Sequence, residues 1–121
     1  MSRDLGAAAV HPVFVVDDDA SVRDSLSVLL DALGFEVFAY RSGSQLLADD
    51  RRRCAGFLIV DQHMPEMDGI EMLSALRDEG IDAPAILITG CLDPAISARA
   101  VQAVGQRVMP LARIKAAISA S

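Results

Sequence analysis

Residues 56–73 read GFLIVDQHMPEMDGIEML, and the fold depends on how this stretch divides. Gly56–Val60 is apolar after its first residue, the pattern of a strand covered on both faces in a parallel sheet. The run leads straight into a carboxylate, Asp61. Beyond a turn, Ile70, Leu73 and Leu76 mark one face of a helix that Gly80 stops. A buried strand that passes through an acid into a helix is one repeat of an alternating α/β chain.

The flanking sequence supplies the other repeats. Strands are predicted over Val13–Val16, Phe35–Tyr40, Ala85–Ile88 and Arg107–Met109. Val22, Leu26, Leu29, Leu30 and Leu33 share a helical face, with Gly34 as the C-terminal cap. Ser42 and Gln45 have capping-box spacing ahead of a short helix reaching Ala48. Asp93 and Pro94 form an N-cap and first turn for a helix ending near Val104. A last helix is predicted over residues 112–120. This alternation indicates an α/β doubly wound sheet, with right-handed crossovers covering both faces.

With 121 residues the chain is one domain by length, able to bury about two-thirds of the surface its unfolded form exposes. Hydrophobic residues make up 52% and Trp is absent, so aliphatic side chains must fill the core. No apolar run approaches the ~18 residues that cross a bilayer. Residues 1–11 are read as a flexible leader before a domain over 12–121, in a cytoplasmic protein without membrane attachment. A net charge of −6 argues against direct nucleic-acid binding. Cys54 and Cys91 form no CxxC pair and are expected as free thiols, with Cys91 inert. The RRR run at 51–53 stands beside Asp49 and Asp50 and is read as a solvated loop.

Three consecutive carboxylates, Asp17, Asp18 and Asp19, follow the first strand and repel one another. If strands 1 and 3 are neighbours, Asp17, Asp18 and Asp61 meet outside the strands' carboxyl ends. That is where open parallel sheets bind ligands. Thr89, after the apolar run AILI, would add a hydroxyl there. Carboxylates that share coordination with water and phosphate oxygens suit Mg2+. A carboxylate left free of direct ligation can attack phosphorus and form an aspartyl phosphate. A calcium loop over 17–28 is excluded: it lacks the sixth-position glycine and has Val28 where a bidentate Glu is required.

VVDDD at 15–19, LGF at 33–35, IVDQHMPEMDGIEML at 59–73 and PAILITG at 84–90 together resemble the receiver domain of bacterial two-component response regulators. The resemblance implies a flavodoxin-like, five-stranded parallel sheet in the order 2-1-3-4-5, and a signalling module rather than an enzyme. It implies Asp61 as phosphoacceptor, Asp18 as a direct Mg2+ ligand, Asp17 as a ligand through water, and the His63 backbone carbonyl as a further ligand. Thr89 resembles the hydroxyl that hydrogen-bonds the phosphoryl oxygens. Pro65 and Gly69 would shape the loop after strand 3, Asp68 would cap the third helix, and Asp19 is read as capping the first. The His63 side chain is expected to pack on the surface, and Met64, Met67 and Met72 to fill loop and core. The implied phosphoryl donor is a sensor histidine kinase or a phosphotransfer protein. The chain is read as a stand-alone receiver that forms a weak homodimer and signals through another protein.

From Gly105 onward the likeness fades. The family's strand 5 ends in Lys-Pro, whereas Met109 precedes Pro110 here and the only lysine is Lys115. Arg107 lies two residues below Met109 on the same side of the strand. Gln106 stands nearest the family's aromatic switch position, and the strand 5 and helix 5 region is read as shortened. Two functions follow from these residues. Intact Asp17, Asp18, Asp61 and Thr89 favour a phosphoryl-accepting receiver. Met109 and Gln106 favour a degenerate receiver that binds its partner whatever its phosphorylation state.

Overall fold

In the computed structural model five parallel strands form one sheet: β1 (Val13–Val16), β2 (Val37–Tyr40), β3 (Phe57–Asp61), β4 (Ala85–Thr89) and β5 (Val108–Pro110). Their order is β2-β1-β3-β4-β5, as the resemblance implies. Helices α1 (Ala20–Ala32), α2 (Gly43–Leu47), α3 (Gly69–Asp78) and α4 (Pro94–Val104) connect them, with a 3-10 turn at Asp50–Cys54. The structure describes residues 12–90, 93–105, 108–110 and 113. The expected leader, Cys91, Gln106, Arg107, Lys115 and all of the last helix but residue 113 lie outside them.

Alternation along β1 sorts the core into two layers. Phe14 and Val16 pack with Leu58, Val60, Leu46, Ile70, Met72 and Leu73 on the face that α2 and α3 cover. Val13 and Val15 pack with Ile59, Ile88, Val22 and Leu26 on the face that α1 covers. Each fully buried aliphatic side chain contributes about 1.5–3 kcal/mol, so apolar strands with both faces covered carry much of the stability. Met64 and Met72 are buried and Met67 packs against the same layer, the filling role expected of them.

The helix ends follow the sequence signals, with informative exceptions. Asp19 accepts from the Ser21 amide at 2.9 Å and starts α1. At the other end Gly34 takes a φ of +92°. Its amide reaches the Asp31 carbonyl while that of Phe35 reaches Leu30, the paired bonds of a Schellman cap. Because the Phe35 amide is spent on this cap, β2 starts at Val37, two residues later than predicted. Leu33, expected on the buried face, is the cap residue itself and is 65% exposed. Before α2, the Ser42 hydroxyl accepts from the Gln45 amide, but the Gln45 side chain accepts from Arg41 rather than closing the box on Ser42.

Asp68 closes a full capping box with Glu71 at the start of α3, and its carboxylate also meets Arg99 of α4 at 2.9 Å. The adjoining Gly69 has no room for a side chain. A Cβ there would stand 2.6 Å from Leu87 Cδ1 and 2.7 Å from the Asp61 carbonyl oxygen. Gly69→Ala is therefore expected to push α3 off β3 and β4 and cost about 1–3 kcal/mol. Urea unfolding measures it, and an unchanged midpoint would show that the loop yields freely.

The arginine run is more than a solvated loop. Arg51 forms an ion pair with Asp49 at 2.7 Å and lies 4.0 Å over the Phe38 ring. Arg52, with a largely buried side chain, grips Glu79 at the end of α3 through two hydrogen bonds of 2.8 and 3.1 Å. Tyr40 donates to the same Asp49 at 2.6 Å. Hydrogen bonds from Arg51 and Tyr40 hold the Asp49 carboxyl well below the usual carboxylate range.

Candidate functional site

β1 and β3 are adjacent and in register, Val16 beside Val60, so Asp17 and Asp61 emerge side by side at the carboxyl end of the sheet. One carboxylate oxygen from each of Asp17, Asp18 and Asp61 lies within 4.8 Å of the others. Asp17 is buried at 4% exposure, Asp61 is half-buried, and Asp18 is exposed. Bonds to the main chain fix this edge: the Asp17 amide donates to the Tyr40 carbonyl, and the Arg23 guanidinium of α1 donates to the Asp17 carbonyl at 2.7 Å. The Asp17 carboxylate accepts from the Asp19 amide at 2.9 Å.

Among the described residues no Lys or Arg pairs with these acids. Burial, then the charge of Asp17, pushes the Asp61 carboxyl up to about 8, against a smaller lowering by the His63 amide. Burial also raises Asp17, with the charge of Asp18 adding to it. The donor set is three hard carboxylate oxygens, and their like charges repel one another. Both properties fit a divalent ion such as Mg2+.

A raised carboxyl pKa stabilises the fold at low pH and loses that contribution as pH rises through the folded value. Without divalent ions, the wild-type melting temperature is expected to fall between about pH 5 and pH 8 relative to Asp61→Asn. Saturating Mg2+ should flatten the fall. Parallel melts of the two proteins across this range provide the check, and identical slopes would refute the coupling.

Thr89 ends β4 fully buried, and its Oγ1 lies 3.0 Å from His63 Nε2. The His63 amide donates to Asp61 Oδ1 at 3.2 Å. The imidazole is exposed but does not merely pack on the surface: it is bonded to Thr89.

A family model described as the response regulator receiver domain matches residues 13–109. The chain belongs to that family. It is 35% identical over 91 residues to the response regulator protein TodT of Pseudomonas putida, covering 75% of this chain and 40% of that protein. To the transcriptional regulatory protein FixJ of Rhizobium meliloti it is 38% identical over 93 residues, covering 77% and 46%. The chain thus spans less than half the length of these relatives. The structure of response regulator StyR superposes with a TM-score of 0.73 at 35% identity, covering 91% of this chain and 58% of that one. The Vibrio cholerae chemotaxis protein CheY4 gives 0.73 at 29%, covering 82% and 83%.

In this receiver the position before the strand-5 proline lies in line with the acid. Asp61 pairs in register with Ile88, and Ile88 with Met109, so a half-buried thioether occupies the row of Asp61 one strand beyond β4. Two residues that the sequence reading passed over hold the receiver's site together. One is Arg23. The other is Gln62, 2% exposed, whose Oε1 accepts from the Ile70 amide at 3.0 Å in the first turn of α3. Its amide also donates to Ile88 and its carbonyl accepts from Gly69. The available signal was period two: a polar residue next to Asp61 points to the opposite face, where the unpaired amides of a helix start need an acceptor. No helix among the described residues is long and apolar enough to cross a membrane.

Proposed function

We propose that this receiver accepts a phosphoryl group on Asp61 from a phosphohistidine of a sensor histidine kinase or phosphotransfer protein, in the cytoplasm, with Mg2+. The observation that carries the reading is the meeting of Asp17, Asp18 and Asp61 at the carboxyl ends of adjacent strands. Asp18 and Asp61 would hold the ion directly, Asp17 through water, with the His63 backbone carbonyl completing the protein's share. Bound there, Mg2+ would supply Lewis-acid stabilisation of the phosphoryl oxygens.

The chain's own residues do the rest. The Asp61 carboxylate oxygen that the ion would leave unligated attacks phosphorus as the P–N bond breaks. The bonding electron pair stays on the donor imidazole, which takes a proton from water. The Thr89 hydroxyl donates to a phosphoryl oxygen, and the Asp19 amide holds the Asp17 carboxylate in place beside the acceptor. Incubation with phosphoramidate and Mg2+ should add one phosphoryl group by intact-protein mass, labile to hydroxylamine. No addition would overturn the reading.

Met109 in the row of Asp61 favours a second reading, an interaction module that binds its partner whatever its phosphorylation state. Equal partner affinity for treated and untreated protein would select it. The weak homodimer belongs to the same proposal, and sedimentation equilibrium tests it.

A further inference from the structure

One residue touches both the proposed nucleophile and the proposed phosphoryl-binding hydroxyl. His63 donates its amide to Asp61 Oδ1 at 3.2 Å and sets its ring nitrogen 3.0 Å from Thr89 Oγ1. It thereby bridges the ends of β3 and β4 at the mouth of the acid cluster. On the far side of β4, the register position in line with Asp61 carries Met109, which donates no hydrogen bond.

We infer that the His63 imidazole is the positioning residue for the Thr89 hydroxyl in phosphoryl transfer, donating from Nε2–H. The inference rests on the phosphoryl-accepting reading and deepens it. A threonine hydroxyl has one hydrogen and two lone pairs. Donation from Nε2–H fills a lone pair and turns the hydroxyl hydrogen away from the ring. That is the orientation in which it can donate to a phosphoryl oxygen arriving on Asp61. Because the His63 amide is anchored on the Asp61 carboxylate, the ring keeps its place relative to the nucleophile. Orientation of one donor before the group arrives lowers the barrier without new binding energy. With no lysine beside Asp61 on β5, the transfer leans harder on Thr89 than a site with a second donor would.

The test compares phosphoryl uptake from phosphoramidate and Mg2+ in wild type, His63→Ala, His63→Gln, Thr89→Ala and the His63→Ala/Thr89→Ala double variant, with melts to confirm folding. His63→Ala is expected to slow uptake about tenfold, while His63→Gln, which keeps an N–H donor, stays within about threefold of wild type. In the Thr89→Ala background, His63→Ala should cost no more than about twofold, because the group it positions is gone. Ring nitrogen shifts of the unsubstituted protein should show a proton on Nε2. Uptake at the wild-type rate in His63→Ala, an undiminished cost without Thr89, or the opposite tautomer would overturn the inference while leaving Asp61 as acceptor. A wild type that takes up no phosphoryl group overturns both readings together.

Discussion

Asp61→Asn is expected to abolish phosphoryl uptake, a loss of at least about a hundredfold, and to raise the melting temperature of the metal-free protein at neutral pH. The first effect follows from chemistry: an amide oxygen is a poor nucleophile, and its product is not a stable acyl phosphate. The second follows from the electrostatics of the cluster. Asp61 is pushed up to about 8 by burial and by the charge of Asp17, so its ionised form works against the fold. The neutral isostere removes that repulsion and keeps the shape. Intact mass and thermal melts of the same samples report both effects. Phosphoryl retained on the variant would place the acceptor on another residue, and a lowered melting temperature would mean that the acids are already neutralised.

Met109→Lys should act in the opposite direction, raising uptake. The register places residue 109 in line with Asp61, separated by Ile88 alone. A phosphoryl group on Asp61 would carry about two negative charges near neutral pH, beside Asp17 and Asp18. Two unit charges ~4 Å apart interact by about 4 kcal/mol at an effective dielectric constant near 20. Desolvation of the ammonium cancels part of that, leaving a gain on the order of 1 kcal/mol, or roughly fivefold in uptake. The same ammonium should pull the Asp61 carboxyl back down from about 8 in the unphosphorylated protein. Uptake rates and a carboxyl titration by NMR test the two consequences separately. If neither moves, the β5 backbone holds residue 109 out of reach of the acid.

How much of this was legible in the sequence depends on how far each residue's partner lies along the chain. FLIV and AILI are apolar throughout and largely buried, and short runs of this kind bounded by turn signals read as strands covered on both faces. Asp68 with Glu71, and Asp93 with Pro94, announce helix starts through partners a few residues away. The acid cluster was legible through the family's spacing, since Asp17 and Asp61 meet only once the sheet order is known. What escaped has distant or competing partners. Arg52 reaches Glu79 across 27 residues, and nothing in RRR names that partner. The His63 ring finds Thr89 across 26. Phe35 looked like a strand start because its apolar side chain is visible in the sequence, whereas the use of its amide in the α1 cap is not. At the C-terminal end the strand runs through Pro110, one residue beyond the predicted Met109.

The chain has a single tyrosine and no tryptophan, so Tyr40 is its sole source of phenol or indole fluorescence. Its ring stacks on Phe14 in the layer beneath α2 and α3, while its main chain abuts the acids by accepting from the Asp17 amide. Burial, and then the bond to Asp49, push the phenol up to about 12, whereas an unfolded tyrosine ionises near 10. Folded molecules therefore keep a neutral phenol through a window of alkaline pH in which unfolded ones become phenolate. Ultraviolet absorption in that window counts unfolded chains directly, without a dye or an added label. The phenol's preference also destabilises the fold as pH rises toward about 12, so the optical signal and the alkaline unfolding share one cause.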